Sequence, residues 1–319
     1  MTVDIDFIDQ RVEDSLNFLR SHFEAVKNYS HEPLYLSALE ALKVTALGGK
    51  HLRSRLVHIG AGDVQGEQKE TAVVFGGAVD LLHSALLIHD DIIDEDPFRR
   101  GVRTIHSQVA EASGDAHIGT STGILAGDMG LMATFQALSS SKVAPQLVRQ
   151  ACAIMSSYAV QTVYGELMDV SHLINHDTTM DTVRESNFLK TSIYSFLAPL
   201  HLGSLAAGEN TPVRVRALQR VADPLGRAYQ AVDDIAGAIA PMEVTGKVQG
   251  GDLEAGRTTL LTIRLDHMSL DEAVEEVKQE ATQYLSQARA AAASPELNPV
   301  TRTGVEDIID RIERSSHEL

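Results

Sequence analysis

The chain has 319 residues, enough for one large domain or two ordinary ones, and 44% of them are apolar, as expected of a protein with a substantial core. Aromatic residues make up only 5%, with no tryptophan, while alanine and leucine are plentiful; this composition favours helices over sheets. The net charge of −17, from 27 basic and 44 acidic residues, argues against a nucleic-acid partner but leaves room for a small phosphorylated substrate bridged by cations.

Apolar residues recur at helical spacing over 7–26, 72–93, 121–138, 144–173, 183–205, 213–240 and 270–293. The first residues carry Asp4, Asp6 and Asp9 and lack the basic-then-apolar order of a signal peptide. Turn residues cluster at 48–49, 96–97, 114–115, 208–212, 246–256 and 294–299, none of them long enough for an interdomain linker. Alternating strand patterns and Asn-Gly hairpin turns are absent. The expectation is one all-α domain over 1–319, a bundle of long antiparallel helices. The most apolar stretch, 71–88, is broken by Asp80 and His83, so no transmembrane segment is expected. Cys152 is the only cysteine, which rules out an internal disulfide and leaves a cytoplasmic location as the expectation.

The segments 79–94 and 222–237 resemble each other, each an apolar helical run ending in Asp-Asp-Ile. In a helix, Asp90 and Asp94 lie about 40° apart and Asp91 about 60° from Asp94, so the three share nearly one face. Like charges packed this way destabilise a helix unless something compensates them. A hard divalent cation does so, and Mg²⁺ commonly bridges one or two carboxylates to substrate phosphates. Asp233 and Asp234 repeat the arrangement. The competing reading is that each acidic pair is a solvated helix end; it weakens because both pairs terminate long apolar runs. His89 is either a ligand or a packing residue.

Positive charge concentrates in a few places: Lys50, Arg53 and Arg55 beside the Gly48-Gly49 turn, Arg99-Arg100, Lys190, and Lys247 with Arg257 around a glycine-rich loop. Backbone amides, a lysine and a planar arginine fork suit a diphosphate. Cations beside carboxylates that hold Mg²⁺ make a coherent kit for neutralising a leaving diphosphate.

At this point the chain resembles the trans-isoprenyl diphosphate synthases, and most closely bacterial geranylgeranyl diphosphate synthases. The resemblance runs from about residue 48 to 259 in the family's order: GGKHLR at 48–53, His83, HDDIIDEDPFRRG at 89–101, GD at 127–128, GELMD at 165–169, KT at 190–191, YQAVDD at 229–234, GK at 246–247 and GGDLEAGRTT at 250–259. It implies helices packed around a deep central cavity, usually in a homodimer. It implies that Asp90, Asp91, Asp94, Asp233 and Asp234 hold two to three Mg²⁺ ions. Arg99, Lys190, Thr191, Gln230, Lys247 and Arg257 would contact the allylic diphosphate, and Lys50, Arg53, His83 and Arg100 would grip isopentenyl diphosphate. Dimethylallyl, geranyl and farnesyl diphosphates are the implied primers. The implied chemistry is ionisation of the allylic C–O bond, attack by the double bond of isopentenyl diphosphate, and loss of a proton. Backbone carbonyls near Lys190 and the Gln230 amide would stabilise the cation.

Two positions depart from the family pattern: Gly237 stands where a third aspartate is usual, and Arg257 where a lysine is. The fifth and fourth residues before Asp90, which floor the tail cavity in the family, are Ala85 and Leu86. Neither is aromatic, so a C20 product, geranylgeranyl diphosphate, is expected over C15 farnesyl, with longer chains the alternative. Leu81, Leu82 or the 121–138 helix are other candidates for the floor. The rival readings are a class I terpene cyclase, which needs no second diphosphate site, and a non-catalytic regulatory subunit, to which only Gly237 points.

Overall fold

A computed structural model describes residues 3–172, 174, 178–240 and 256–319, and most of them are helical. In chain order the helices are α1 (Phe7–Val26), α2 (Pro33–Leu47), α3 (Leu52–Ala61), α4 (Gly66–Ile93), α5 (Ile105–Ser113), α6 (Ala116–Ser139) and α7 (Pro145–His172). There follow α8 (Met180–Asn187), a π-helical stretch (Phe188–Leu197), α9 (Ala198–Ala206), α10 (Pro212–Ile239), α11 (Leu270–Ala292) and α12 (Pro299–His317). Local chemistry sets the starts. Proline occupies the first turn of α2, α10 and α12, where its missing N–H costs nothing. The side chains of Thr211 and Asn298 accept the N–H groups of Arg214 and Thr301 at the N-termini of α10 and α12. Ser269 and Glu272 form a reciprocal capping box on α11.

Helix α4 runs through the middle, packed against α1, α2, α3, α6 and α9. Its Leu81 and Ile88 share a cluster with Leu42 of α2 and Ala133 of α6, while its Phe75 and Val79 meet Leu202 of α9 and Met155 of α7. A third cluster joins α10, α11 and α12 through Leu225, Val277 and Ile309. At 28 residues, with a window of mean hydropathy 1.8, α4 has the length and composition of a membrane span, which the shorter 71–88 reading did not allow. However, 83% of that window is buried inside the bundle, so the apolar run is used as core.

The predicted helices are all present, with ends moved by a few residues, most at α4, which begins at Gly66. The expected absence of strands is corrected at one place. Phe98–Arg99 and Val102–Arg103 form a two-stranded antiparallel hairpin, in register Phe98↔Arg103 and Arg99↔Val102. Its turn residues, Arg100 and Gly101, both have positive φ (53° and 75°), as a right-twisting two-residue turn requires.

Candidate active site

The carboxylates at the end of α4 belong to a longer stripe. Residues 80, 83, 87, 90 and 94 are spaced alternately three and four apart, so Asp80, His83, Asp90 and Asp94 lie along one face. Acidic groups at a helix C-terminus oppose the helix dipole. Two arginines answer them. Arg99, on the first hairpin strand, donates through Nη2 to Asp90 Oδ2 at 3.0 Å and through Nε to Asp91. Arg257 reaches back to Asp94 Oδ1 at 2.7 Å. Asp91 is buried, and burial pushes its pKa up to about 6 even though Arg99 pulls the other way. Asp90 and Asp94 keep more of their surface.

The π-helical stretch presents the next group. π-Helical turns are rare and gather at functional sites. Lys190 Nζ lies 2.9 Å from Glu166 Oε2 and also donates to Asp169, both on α7. Burial alone would lower the Lys190 pKa, but the two carboxylates override it and hold the ammonium charged. Gly165 makes this approach possible, since a Cβ there would sit 2.8 Å from Leu189 Cβ and 3.0 Å from the Lys190 amide nitrogen. Burial raises the Glu166 pKa against Lys190, and the nearby charge of Asp90 raises it further, so α7 faces the end of α4.

From the same stretch, the Thr191 hydroxyl donates to Gln230 Oε1 at 2.6 Å. The Gln230 amide then donates to Asp234 Oδ1 at 2.8 Å, and Asp234 Oδ2 accepts the Leu260 N–H at 3.0 Å. This chain fixes which way the amide of Gln230 points. It also turns Asp234 inward, where it is 4% exposed, while Asp233 is on the exposed face of α10. Tyr229 lies within electrostatic reach of Asp233, Arg53 and Arg100, so α10 closes on the region at the end of α4. Gly237 is partly buried one turn beyond Asp233.

A basic pocket adjoins the carboxylates. His83 is neutral: burial lowers its pKa well below the ordinary value, and Arg53, Arg100, Arg99 and His51 lower it further. Arg53 Nη2 donates to Ser195 Oγ at 2.6 Å, and its guanidinium lies over the Tyr194 ring at 5.1 Å. The left-handed turn at Arg100 sends that side chain under the Gly48-Gly49 loop. Gly49 has φ +94°, and a Cβ on it would lie 2.5 Å from Arg100 Cζ. Lys50 stands exposed at the rim. Burial lowers the Arg100 pKa, and Arg99 and Arg53 lower it further. Cations crowded together at such a cost suit an anionic ligand.

Sequence reasoning left several partners unassigned. Asp80, only 5% exposed, accepts the Ser54 N–H at 3.2 Å and holds His51 Nδ1 at 2.9 Å, fixing the start of α3 beside the basic pocket. Glu166 and Asp169 stand in the quoted GELMD segment, three apart on one helix face, a spacing that could have flagged them. Tyr194 and Ser195 carried no signal of their own, while Tyr229 opens the quoted YQAVDD segment but was given no role. His89 takes the packing role, its ring against Gly127 of α6 and its Nε2 3.1 Å from the Ile124 carbonyl. Ala85 is fully buried, and a Cβ on Gly130 of α6 would sit 2.7 Å from its own Cβ, so on that side Ala85 meets a helix rather than open space. Leu86 is half-buried against the Phe75 cluster. Lys247 and most of the 246–256 loop lie outside the described residues.

The donor set fits a hard divalent cation. Asp90, Asp94 and Asp233 offer carboxylate oxygens only. Among the described residues no three acidic, histidine or cysteine side chains converge into a ready cage. Mg²⁺ does not need one, since it keeps waters and completes its shell with phosphate oxygens.

The comparisons agree with this geometry. Residues 37–294 match the model of the polyprenyl synthetase family. A geranylgeranyl diphosphate synthase of Methanosarcina mazei is 31% identical over 247 residues, covering 75% of this chain and 72% of its own. Another, from Sulfolobus acidocaldarius, is 32% identical over 219 residues, covering 68% and 63%. Among solved structures, the geranylgeranyl pyrophosphate synthase of Corynebacterium glutamicum, crystallised with isoprenyl diphosphate and magnesium, superposes with a TM-score of 0.87 at 24% identity, covering 98% of this chain and 100% of that one. That likeness shows the all-α fold, and with the family match it makes this chain a member of the polyprenyl synthetase family of prenyltransferases.

Proposed function

We propose that the enzyme condenses isopentenyl diphosphate head-to-tail with an allylic diphosphate (dimethylallyl, geranyl or farnesyl) and releases geranylgeranyl diphosphate. The observation that carries this is the single stripe of α4, with carboxylates at Asp90 and Asp94 beside a basic pocket at His83, Arg53 and Arg100. One diphosphate needs cation-bridged carboxylates and the other needs direct cations, and the two sites adjoin. A terpene cyclase has no use for the second.

Asp90, Asp94 and Asp233 would hold two to three Mg²⁺ ions, with Asp91 keeping Arg99 in place and Asp234 keeping Gln230 in place. When bound, Mg²⁺ supplies positive charge to the allylic diphosphate as its C–O bond breaks. Lys190, Arg99 and Arg257 orient that diphosphate and share its growing charge. Lys50, Arg53, His83 and Arg100 hold isopentenyl diphosphate so that its double bond forms the new C–C bond; a neutral His83 serves as a hydrogen-bond donor there. The proton released goes to the departing diphosphate. Gln230 is fixed from both ends, its carbonyl accepting from Thr191 and its amide donating to Asp234, so its dipole would be held still beside the allylic diphosphate, and the packed helices keep water away.

The C20 length is supported by the relatives named geranylgeranyl diphosphate synthases, at about 30% identity. Ala85 adds less support, because on the side of Gly130 it packs on α6. The exposed apolar faces of α6 and α7 support a homodimer. With α4 used as core, we read the enzyme as cytoplasmic, touching membranes only through its product. Purified protein with Mg²⁺, labelled isopentenyl diphosphate and each primer should give a C20 product by chromatography. Absence of any elongated product with every primer refutes the reading, and a uniform C15 or longer product refutes the length.

A further inference from the structure

Lys190 is held in an unusual way for a residue that receives an anion. Glu166 Oε2 is 2.9 Å from its Nζ, and Asp169 accepts from the same atom. An ammonium has three donors, so two are already committed. With both carboxylates ionised and paired to one ammonium, the group of Glu166, Asp169 and Lys190 carries a net charge of −1. None of the three side chains is freely solvated: each is between 24% and 28% exposed. A bare diphosphate approaching Lys190 therefore meets net negative charge in a partly desolvated setting, where charge repulsion is strong. A diphosphate that arrives with divalent cations does not. Asp169 alone would balance Lys190; Glu166 is the charge in excess. Gly165, packed on Leu189 and the Lys190 backbone, holds α7 in the position that puts Glu166 there.

Resting on the reading that Lys190 receives the allylic diphosphate, we propose that Glu166 is a specificity-determining residue that restricts this site to metal-bound diphosphate and turns metal-free diphosphate away. The device screens substrate and released pyrophosphate alike. It keeps Lys190 charged and positioned by carboxylates until an assembled metal–diphosphate displaces them.

Glu166→Gln keeps the shape and an acceptor oxygen for Lys190 while removing the excess charge. With isopentenyl diphosphate saturating the basic pocket, which itself takes a metal-free diphosphate, inorganic pyrophosphate is titrated calorimetrically into the full-length wild type, E166Q, a second neutral variant E166S, and the charge-keeping E166D, each with Mg²⁺ and with EDTA, and each checked for folding by thermal melting. With EDTA, E166Q and E166S should bind pyrophosphate about tenfold tighter or more than wild type and E166D, the gap narrowing at high salt. Adding Lys190→Ala to E166Q should abolish the gain, which a merely structural effect would not. Equal metal-free affinity in wild type and both neutral variants overturns the proposal and leaves the function of the site standing. If wild type fails to bind pyrophosphate with Mg²⁺, both fall.

Discussion

Individual buried side chains set how this protein answers to acid. His58 of α3 is fully buried, with Nε2 3.0 Å from Ser15 Oγ and no partner for Nδ1 among the described residues. Burial first, and the nearby Arg11 second, push its pKa down to about 3. Unfolded, the ring returns to about 6.5. Between those values the unfolded chain binds a proton that the folded chain refuses, so stability falls as pH drops from about 6.5 toward about 3. From pH 7 to pH 5 this one residue costs about 2 kcal/mol, the slope approaching about 1.36 kcal/mol per pH unit below the unfolded value. His58→Gln removes the titration and keeps an amide for Ser15. Urea unfolding at pH 7 and pH 5 should show the pH-dependent loss shrinking by about that amount relative to wild type. An unchanged loss would assign it to other groups. The same scale marks the limit of sequence reading. Asp90, Asp94 and Lys190 announce themselves by charge in an apolar setting. The inward turn of Asp234 depends on Leu260, 26 residues away, and the role of Asp80 depends on the Ser54 amide, 26 residues before it. No local pattern encodes such pairings.

Several long helices were legible because many turns of one period average out local exceptions, as in α1, α6, α7 and α10, although α2 (15 residues) and α12 (19 residues) were not among the segments read. Short elements were not. Two-residue strands have no period to detect, and α3 hides behind the cationic segment 50–55, whose charges mask the buried Leu56, Val57 and Ile59. The π-helical stretch keeps nearly the apolar pattern of an α-helix, so its wider turn shows only in the backbone. The hairpin matters most for the site. It sends Arg99 toward Asp90 and Asp91 and the next residue, Arg100, toward the Gly49 loop, so one tight turn would serve both of the diphosphate positions we propose. Gly49→Ala tests this. The substitution strains a backbone at φ +94° and drives a methyl into the Arg100 guanidinium. The expected result is a KM for isopentenyl diphosphate raised about tenfold or more, with a much smaller change in the allylic KM, and a stability loss of about 1–3 kcal/mol. Equal rises in both KM values would show that the loop serves the fold and not one substrate.

For the whole molecule the question is what covers α6 and α7. On α6, Ile118, Ile124, Leu125, Met132 and Phe135 are exposed within about 120° of arc, which also holds the exposed Asp128, and on α7 Val160, Val163, Tyr164, Leu167 and Val170 fall within a similar arc at about 100° per residue. Leu125, Met132, Val160 and Leu167 are each more than 60% exposed. Between positions 153 and 171 the exposed face of α7 carries no charged residue, in a chain that is 22% charged. Such paired faces suit a self-complementary contact across a two-fold axis. Two copies at −17 each repel at long range, so the apolar contact must outweigh that repulsion, and salt that screens it should tighten the dimer. Leu125→Glu with Leu167→Glu places a carboxylate on each face without touching a buried core residue. Sedimentation equilibrium should then find a monomer with unchanged helical circular dichroism, while the wild-type dimer should dissociate more readily in low salt than in high. A double variant that sediments as wild type would move the contact off these helices. A wild type that stays monomeric at every salt concentration would leave the two faces to a different partner.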